Sequence, residues 1–322
     1  MRAGGRHPAS SRRLCRRDFL AVAGALALSG CKSLKSAKFE GEASSAVAEP
    51  IIDIHQHTNY VGRSDADLLK HQRSMGVTTT VLLPAGRYYG LDAQCGGNES
   101  VESFARKHSR EFVFFSNELP YLKEADAEIR RFLQRGGIGI GEQKFRVLAD
   151  SAYLDRMAGI AKDFNVPILL HFWDGDYNME MARFHKVLEK FPTVNFIGHA
   201  QSWWGHIDKN HIPKNIYPKG KITPGGLTDR WLADYPNIFG DLSAGSGLNA
   251  LRRDPEFTPA FLQRHQNKLL FGSDCPDKEG RGANCLGAQI ISTVRQYSET
   301  KSVERKILYA NAKQLLKLAE AT

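Results

Sequence analysis

The sequence has no long apolar run, no internal repeat and few cysteines, and each shortage narrows what the chain can be. Phe19 to Gly30, the uncharged stretch near the N-terminus, has twelve residues rich in Ala and Gly. That is too short to span a bilayer as a mature helix. No basic stretch interleaves with stacking aromatics, so no nucleic-acid partner is expected. The net charge of +9 reflects the first thirty residues, where six arginines meet one aspartate; those residues carry +5 and leave +4 on the rest. The glycine-rich Gly136-Gly137-Ile138-Gly139-Ile140-Gly141 lacks the dinucleotide-binding spacing and precedes Glu-Gln-Lys rather than a helix start. It reads as a strand in a crowded interior. With 42% hydrophobic and 25% charged residues, the chain has the composition of a globular fold with a sizeable core.

The N-terminus reads as an address. Arg16-Arg17-Asp18-Phe19-Leu20 resembles the twin-arginine export motif, and Leu28-Ser29-Gly30-Cys31 resembles the lipobox after which a cysteine is acylated. Residues 1–30 are therefore expected to be a signal peptide. Residues 31–50, rich in Lys, Ser, Ala and Glu, are expected to be a flexible tether, with 51–322 as one catalytic body. The implied location is the cell envelope, as a lipoprotein anchored through Cys31 and facing the periplasm. A homodimer is left open. With Cys31 used as an anchor, Cys95, Cys275 and Cys285 remain downstream. Cys275 and Cys285 could pair across ten residues, or Cys95 could reach either.

From residue 51 onward, strand-like and helix-like segments alternate. The apolar, branched runs predict strands near 51–54, 78–83, 111–115, 138–142, 166–170, 194–198, 237–241 and 268–272. Helical spacing falls between them, at Asp65–Met75, Val101–His108, Ala125–Arg135, Tyr153–Phe164, Met179–Phe191 and Leu227–Tyr235. Eight such units match an α/β fold of the (β/α)8 TIM-barrel type. A doubly wound open sheet is the runner-up, but it would not bring the first and eighth strands together. The longest connections, 84–98, 199–225 and 273–287, would line the substrate pocket. They offer Arg87, Tyr88, Tyr89, Trp203 and Trp204, with the two tryptophans suited to walling a planar substrate.

Four of the runs end in a residue that can bind a metal: Asp53-Ile54-His55-Gln56-His57, Leu169-Leu170-His171, Ile197-Gly198-His199 and Gly272-Ser273-Asp274. Residues two apart on a strand share a face, so His55 and His57 can reach one ion while Gln56 points away. Barrel strands place their C-terminal ends on one rim, where His171, His199 and Asp274 would join them. The remaining histidines lack this placement.

With these residues the chain resembles the amidohydrolase superfamily, in particular the amidohydrolase-related group that includes aminocarboxymuconate-semialdehyde decarboxylase. Ile307-Leu308-Tyr309-Ala310-Asn311-Ala312-Lys313 resembles that group's terminal helix. The resemblance implies one divalent ion, zinc before manganese or iron(II), held by His55, His57, His171 and Asp274. It implies catalytic roles for Asp274, as proton acceptor, and for His199, which orients water or the substrate oxygen. Glu142 could bridge a second metal, but pairing with Lys144 on the same strand face is the reading preferred for it. The implied reaction is hydrolysis of a small amide, ester or lactone by metal-activated water. The alternative is non-oxidative decarboxylation of a small unsaturated or aromatic acid, whose carboxylate would need Arg87, Lys144 or Arg146. A non-catalytic, anchored binding protein is the third reading, and the complete ligand set argues against it. Mass spectrometry of the mature chain is expected to find an acylated Cys31 at its N-terminus; an unmodified terminus elsewhere would refute the anchor.

Overall fold

The computed structural model describes residues 49–86 and 94–319. The segments expected to be an export signal and most of a tether, with Cys31, and Arg87 with Tyr88 and Tyr89 lie outside them. Eight strands stand among the described residues: β1 (Ile52–Gln56), β2 (Thr79–Leu82), β3 (Phe112–Phe114), β4 (Ile140–Gln143), β5 (Ile168–His171), β6 (Phe196–His199), β7 (Ile238–Asp241) and β8 (Leu269–Leu270). All named pairings are parallel, in the orders β1-β2-β3 and β4-β5-β6-β7-β8. Two seams close the ring. Ser116 bridges to Ile140 in parallel between the third and fourth strands. Between the eighth and first, Ile54 N–H donates to Phe271 O at 3.1 Å and Asp274 N–H to His55 O at 2.8 Å. The sheet is the closed barrel the sequence predicts, and among the described residues no strand is left with an open edge.

The helices expected from sequence appear as α1 (Asp65–Ser74), α2 (Asn98–Lys107), α3 (Ala125–Gln134) and α4 (Ala152–Phe164), with boundaries shifted by a few residues. The pattern over Met179–Phe191 breaks up. A tight turn pairs Trp173 with Tyr177, and Glu180 sits in the left-handed region (φ 58°), so a 3-10 turn at Met181–Phe184 leads into a short α5 (His185–Lys190). The long connection after β6 starts with a helix, α6 (Ala200–Gly205), and α7 (Leu227–Asp234) follows it. Two helices, α8 (Ala244–Arg252) and α9 (Thr258–Arg264), join β7 to β8. The chain then runs through α10 (Leu286–Tyr297), α11 (Lys301–Arg305), a π turn at Lys306–Ala310 and α12 (Asn311–Leu315). The segment resembling a terminal helix is thus part π turn, part α12.

Side chains fill the barrel in the way a closed sheet requires. Ile52, Ile54, Val81, Leu83, Phe115, Leu169, Ile197 and Leu270 pack together inside it, with Ala312, Leu315 and Leu316 from the C-terminal segment. The larger cluster lies between strands and helices and includes Ile168, Leu170, Phe196 and Trp203. The glycine-rich segment makes room for this filling. A Cβ at Gly139 would stand 2.3 Å from the Phe115 ring, and one at Gly141 2.8 Å from Leu169 O.

Two strands break register, β1 between Asp53 and Gln56 and β4 between Ile140 and Gln143. A bulge changes which side chains face inward. In β1 it lets Ile52 and Ile54 fill the interior while His55 and His57 also face the axis. In β4 it turns Glu142 inward beyond Gly139 and Gly141.

Trp203 and Trp204 are both buried in the helical shell, which corrects the expectation that they wall a substrate pocket. Trp203 lies against Gly198, where a Cβ would meet its ring at 2.4 Å, and Trp204 Nε1 donates to Asp241 O at 2.8 Å. Placed by α6 immediately after β6, they fold back onto the outside of the barrel. Gly198→Ala is therefore expected to destabilise the protein by about 1–3 kcal/mol through overpacking. Gly159→Ala, where nothing lies within 4 Å, should stabilise α4 by roughly 0.5–1 kcal/mol. Urea unfolding midpoints of the two variants check both signs.

Candidate metal centre

Six side chains from five strand ends converge at one rim of the barrel: His55, His57, Glu142, His171, His199 and Asp274. His171 and His199 are register partners on adjacent strands, and Asp274 is brought beside β1 by its backbone hydrogen bond to His55. Glu142 divides its carboxylate between them. Its Oε1 lies 2.5 Å from His171 Nδ1 and 3.8 Å from His199 Nε2. Its Oε2 lies 3.7 Å from His55 Nε2 and 3.8 Å from His57 Nε2. Asp274 does the same from the other side, with Oδ1 3.8 Å from His55 Nε2 and 3.5 Å from His57 Nε2, and Oδ2 3.6 Å from His199 Nε2.

The preferred sequence reading of Glu142, an ion pair with Lys144, does not hold. The bulge in β4 turns the carboxylate to His171, while Lys144 Nζ lies 5.4 Å from the centre of the Tyr177 ring. Lys144 still feels the site. Burial pulls its pKa down, but the charges of Glu142 and Asp274 prevail and raise it. Arg146 is exposed and faces Asp176 at 3.4 Å, away from such a role.

Outer partners set which nitrogen each ring presents. Asp241 Oδ2 lies 2.7 Å from His55 Nδ1, and Leu83 O lies 2.7 Å from His57 Nδ1. Each Nδ1 is thereby assigned a proton, and each Nε2 is turned to the rim, where a proton or an ion can sit. Ser243 Oγ lies 2.9 Å from His199 Nδ1 and donates to Asp241 Oδ2 at 2.8 Å. Asp241 and Ser243 were missed from sequence, although Asn237–Asp241 ends on a carboxylate like the runs that were read. Tyr60 was also missed, having no pattern beyond its nearness to the His-x-His pair. Its ring centre is 4.9 Å from that of His57, and the charge of Asp274, with burial, holds its hydroxyl protonated well above the usual range. Cys95 is buried beside His57, whereas Cys275 and Cys285 lie together elsewhere, their sulfurs 4.0 Å apart.

The donors fit a divalent cation. His55 Nε2 and Asp274 Oδ1 are fully buried and have no hydrogen-bond partner among the described residues. Buried polar atoms are rarely left so. Separations of 3.5–3.8 Å between His55, His57 and Asp274 are too long for hydrogen bonds. They suit donors each about 2.1 Å from a shared ion. The electrostatics agree. Burial lowers His199 to about 4, aided by the charge of His55, leaving the neutral ring a ligand must be. Burial also lowers His171. Burial opposes charge on His55 and His57, yet Asp274 and Asp241 raise the first well above its ordinary value; Cys95 and Asp274 push the second to about 10. The carboxylates therefore draw positive charge to this place.

A closed parallel barrel carrying histidines and carboxylates on one rim defines a metal-dependent barrel enzyme. Residues 52–318 match the family model described as Amidohydrolase, and the chain belongs to that family. It is an enzyme of the hydrolase or carboxy-lyase kind found there. No curated protein sequence matches the chain. Among solved structures it is similar to a 2,6-dihydroxybenzoate decarboxylase complexed with 2,6-dihydroxybenzoate, at 14% identity and a TM-score of 0.53, covering 84% of this chain and 100% of that one. A 5-carboxyvanillate decarboxylase from Sphingomonas paucimobilis aligns at 14% identity and a TM-score of 0.55, over 81% and 85%. A probable 2-pyrone-4,6-dicarboxylic acid hydrolase from Acinetobacter baumannii aligns at 13% and 0.56, over 83% and 99%. At such identities these likenesses establish the shared fold.

Against burial, nearby negative charge raises both His55 and His57, the second to about 10, so in the metal-free protein they favour a second ring proton, on Nε2, that a cation must displace. Loading zinc at pH 7.5 is expected to release at least the His57 proton, and affinity should rise with pH. Calorimetry in buffers of different ionisation enthalpy measures this; release of none would contradict the electrostatics described.

Proposed function

We propose that this enzyme is a hydrolase that holds two divalent cations, zinc before manganese or iron(II), and cleaves a small amide, ester or lactone. The observation that carries this reading is the Glu142 carboxylate, whose Oε2 stands 3.7–3.8 Å from His55 and His57 Nε2 and whose Oε1 stands 3.8 Å from His199 Nε2. Its hydrogen bond to His171 Nδ1 leaves the buried His171 Nε2 without a partner among the described residues. A carboxylate so placed suits a bridge between two ions. The sequence implied a single ion with His199 outside its ligands, but His199 Nε2 faces both carboxylates, and we assign it a ligand's place. Bound there, the cations would polarise a substrate oxygen and make water nucleophilic at neutral pH.

The remaining steps belong to the chain's own side chains. Asp274 is held ionised: burial opposes its charge, but His55 and His57 outweigh it and keep the pKa well below the carboxylate range. It can take the proton from the attacking water and pass it to the leaving group. The Tyr60 hydroxyl, kept protonated, can donate to a substrate oxygen as negative charge develops. Lys144, half-buried at the rim and kept cationic, can hold a substrate carboxylate. Asp241 and Ser243 keep His55 and His199 in their tautomers.

Lys144 also supports the second reading, decarboxylation, because that reaction needs a fixed cation for the acid. Zinc- or manganese-loaded protein incubated with lactones, amides and aromatic acids separates the two. Acid release from a lactone or amide supports hydrolysis, whereas CO2 release from an aromatic acid replaces it with the carboxy-lyase reading. Asp274→Asn is expected to lower turnover by about 10²–10⁴. His199→Ala should lose metal as well as turnover by elemental analysis; full metal retention with lost turnover would return His199 to a purely catalytic role.

A further inference from the structure

Behind the loop that carries Asp274 lies a second group of ligating side chains, separate from the rim. His71 and Met75 stand one turn apart at the end of α1, Cys275 follows Asp274, and Cys285 caps α10. His71, Cys275 and Cys285 are fully buried and Met75 nearly so. His71 Nε2 lies 3.3 Å from Cys285 Sγ, Met75 Sδ 3.6 Å from it, and Cys275 Sγ 4.0 Å from it. We propose that these four side chains bind one soft metal ion, Cu(I) in preference to zinc, which ties α1, the loop after β8 and α10 together beneath the catalytic rim.

The distances fit one ion. Four donors about 2.3 Å from a common centre stand about 3.8 Å apart at tetrahedral edges, and the three separations above scatter around that value. The donor types choose the metal. Two thiolates, an imidazole and a thioether are soft ligands, and a thioether favours Cu(I) over zinc. The cost of burying His71 points the same way. Its Nδ1 has no partner among the described residues and its Nε2 faces sulfur, a weak partner for a fully buried imidazole. Charge is provided for as well. Two thiolates around a monovalent ion leave one negative charge. The buried Arg63 guanidinium lies against this loop, donating to Cys275 O at 2.7 Å and Asp277 O at 3.0 Å. Packing brings the helices close enough, since a Cβ at Gly287 would meet Met75 Sδ at 2.5 Å. A disulfide between Cys275 and Cys285 is the competing use. It would draw the sulfurs from 4.0 Å to about 2.05 Å, and would leave His71 and Met75 no ligand to share. Metal binding instead releases the two thiol protons to solvent and involves no change of oxidation state.

The test uses the full chain, reduced and with its rim site already loaded with zinc, exposed to Cu(I) as its bicinchoninate complex. Uptake of a single copper equivalent without loss of zinc is expected, with sulfur neighbours in copper X-ray absorption. Cys285→Ser should lose that equivalent, and Met75→Leu should weaken it about tenfold while circular dichroism and zinc content stay unchanged. Should Cys285→Ser fail to fold, Met75→Leu decides alone. Copper uptake equal to wild type in Met75→Leu overturns the proposal. So does displacement of the copper by zinc, or a Cys275–Cys285 disulfide whose reduction yields no copper uptake.

Discussion

Two carboxylates, Glu142 buried and Asp274 nearly so, govern the catalytic end of this protein. Glu142 and Asp274 face each other across four imidazoles with little water to screen them, and a buried charge is tolerated only when opposite charge or hydrogen bonds compensate it. The surrounding architecture supplies that compensation. Asp241 and Leu83 O fix the rings of His55 and His57 so that their Nε2 atoms, with a proton or a cation, face the carboxylates. Ser243 does the same for His199. What remains uncompensated is a demand for positive charge at this rim, which is the electrostatic definition of a cation site.

The barrel makes this concentration mechanically stable. Asp53, buried beneath His55, accepts from Ser273 N–H at 2.9 Å, Ser273 Oγ at 2.5 Å and Gln72 Nε2 at 3.0 Å. It thereby locks the eighth strand onto the first and onto α1. Gln56, pointing outward as the His-x-His spacing requires, donates to Ser273 Oγ and Cys275 O. The residues between the ligands are therefore not spacers. They hold the seam whose closure sets the distance from His55 and His57 to Asp274. The same seam connects the rim to the sulfur cluster below it, because Cys275 is both the neighbour of Asp274 and the acceptor for Gln56 and Arg63.

Bulges convert a regular barrel into a site. Without the register breaks, strict alternation would make Ile54 and His55, or Gly141 and Glu142, face opposite sides. The breaks occur in the two strands that supply His55, His57 and Glu142. Strands β5 and β6 need none, since Leu169 and His171, or Ile197 and His199, already share a parity. The inward glycines of β4 complete the arrangement by leaving room for Phe115 and Leu169.

Much of this was legible in the chain. Apolar, branched runs followed by His or Asp identified eight parallel strands and five of the six converging side chains, because burial on both faces and chemistry at the C-terminal end leave a local imprint. Glu142 was read as pairing with Lys144, with a metal bridge as the alternative, and its contact with His171 could not be read, since a bulge reverses the facing that spacing alone implies. Trp203 and Trp204 looked like pocket walls because they lie in a loop by sequence; α6 turns them into the core. Asp241 carried the same strand-end mark as the ligands, but its service to His55 depends on the packing of β7 and Ser243 around that ring. Local sequence determined the elements and the residues that end them, through periodicity and burial. Only the closed barrel decided which carboxylate meets which imidazole, because those distances depend on register, bulges and packing among strands remote in the chain.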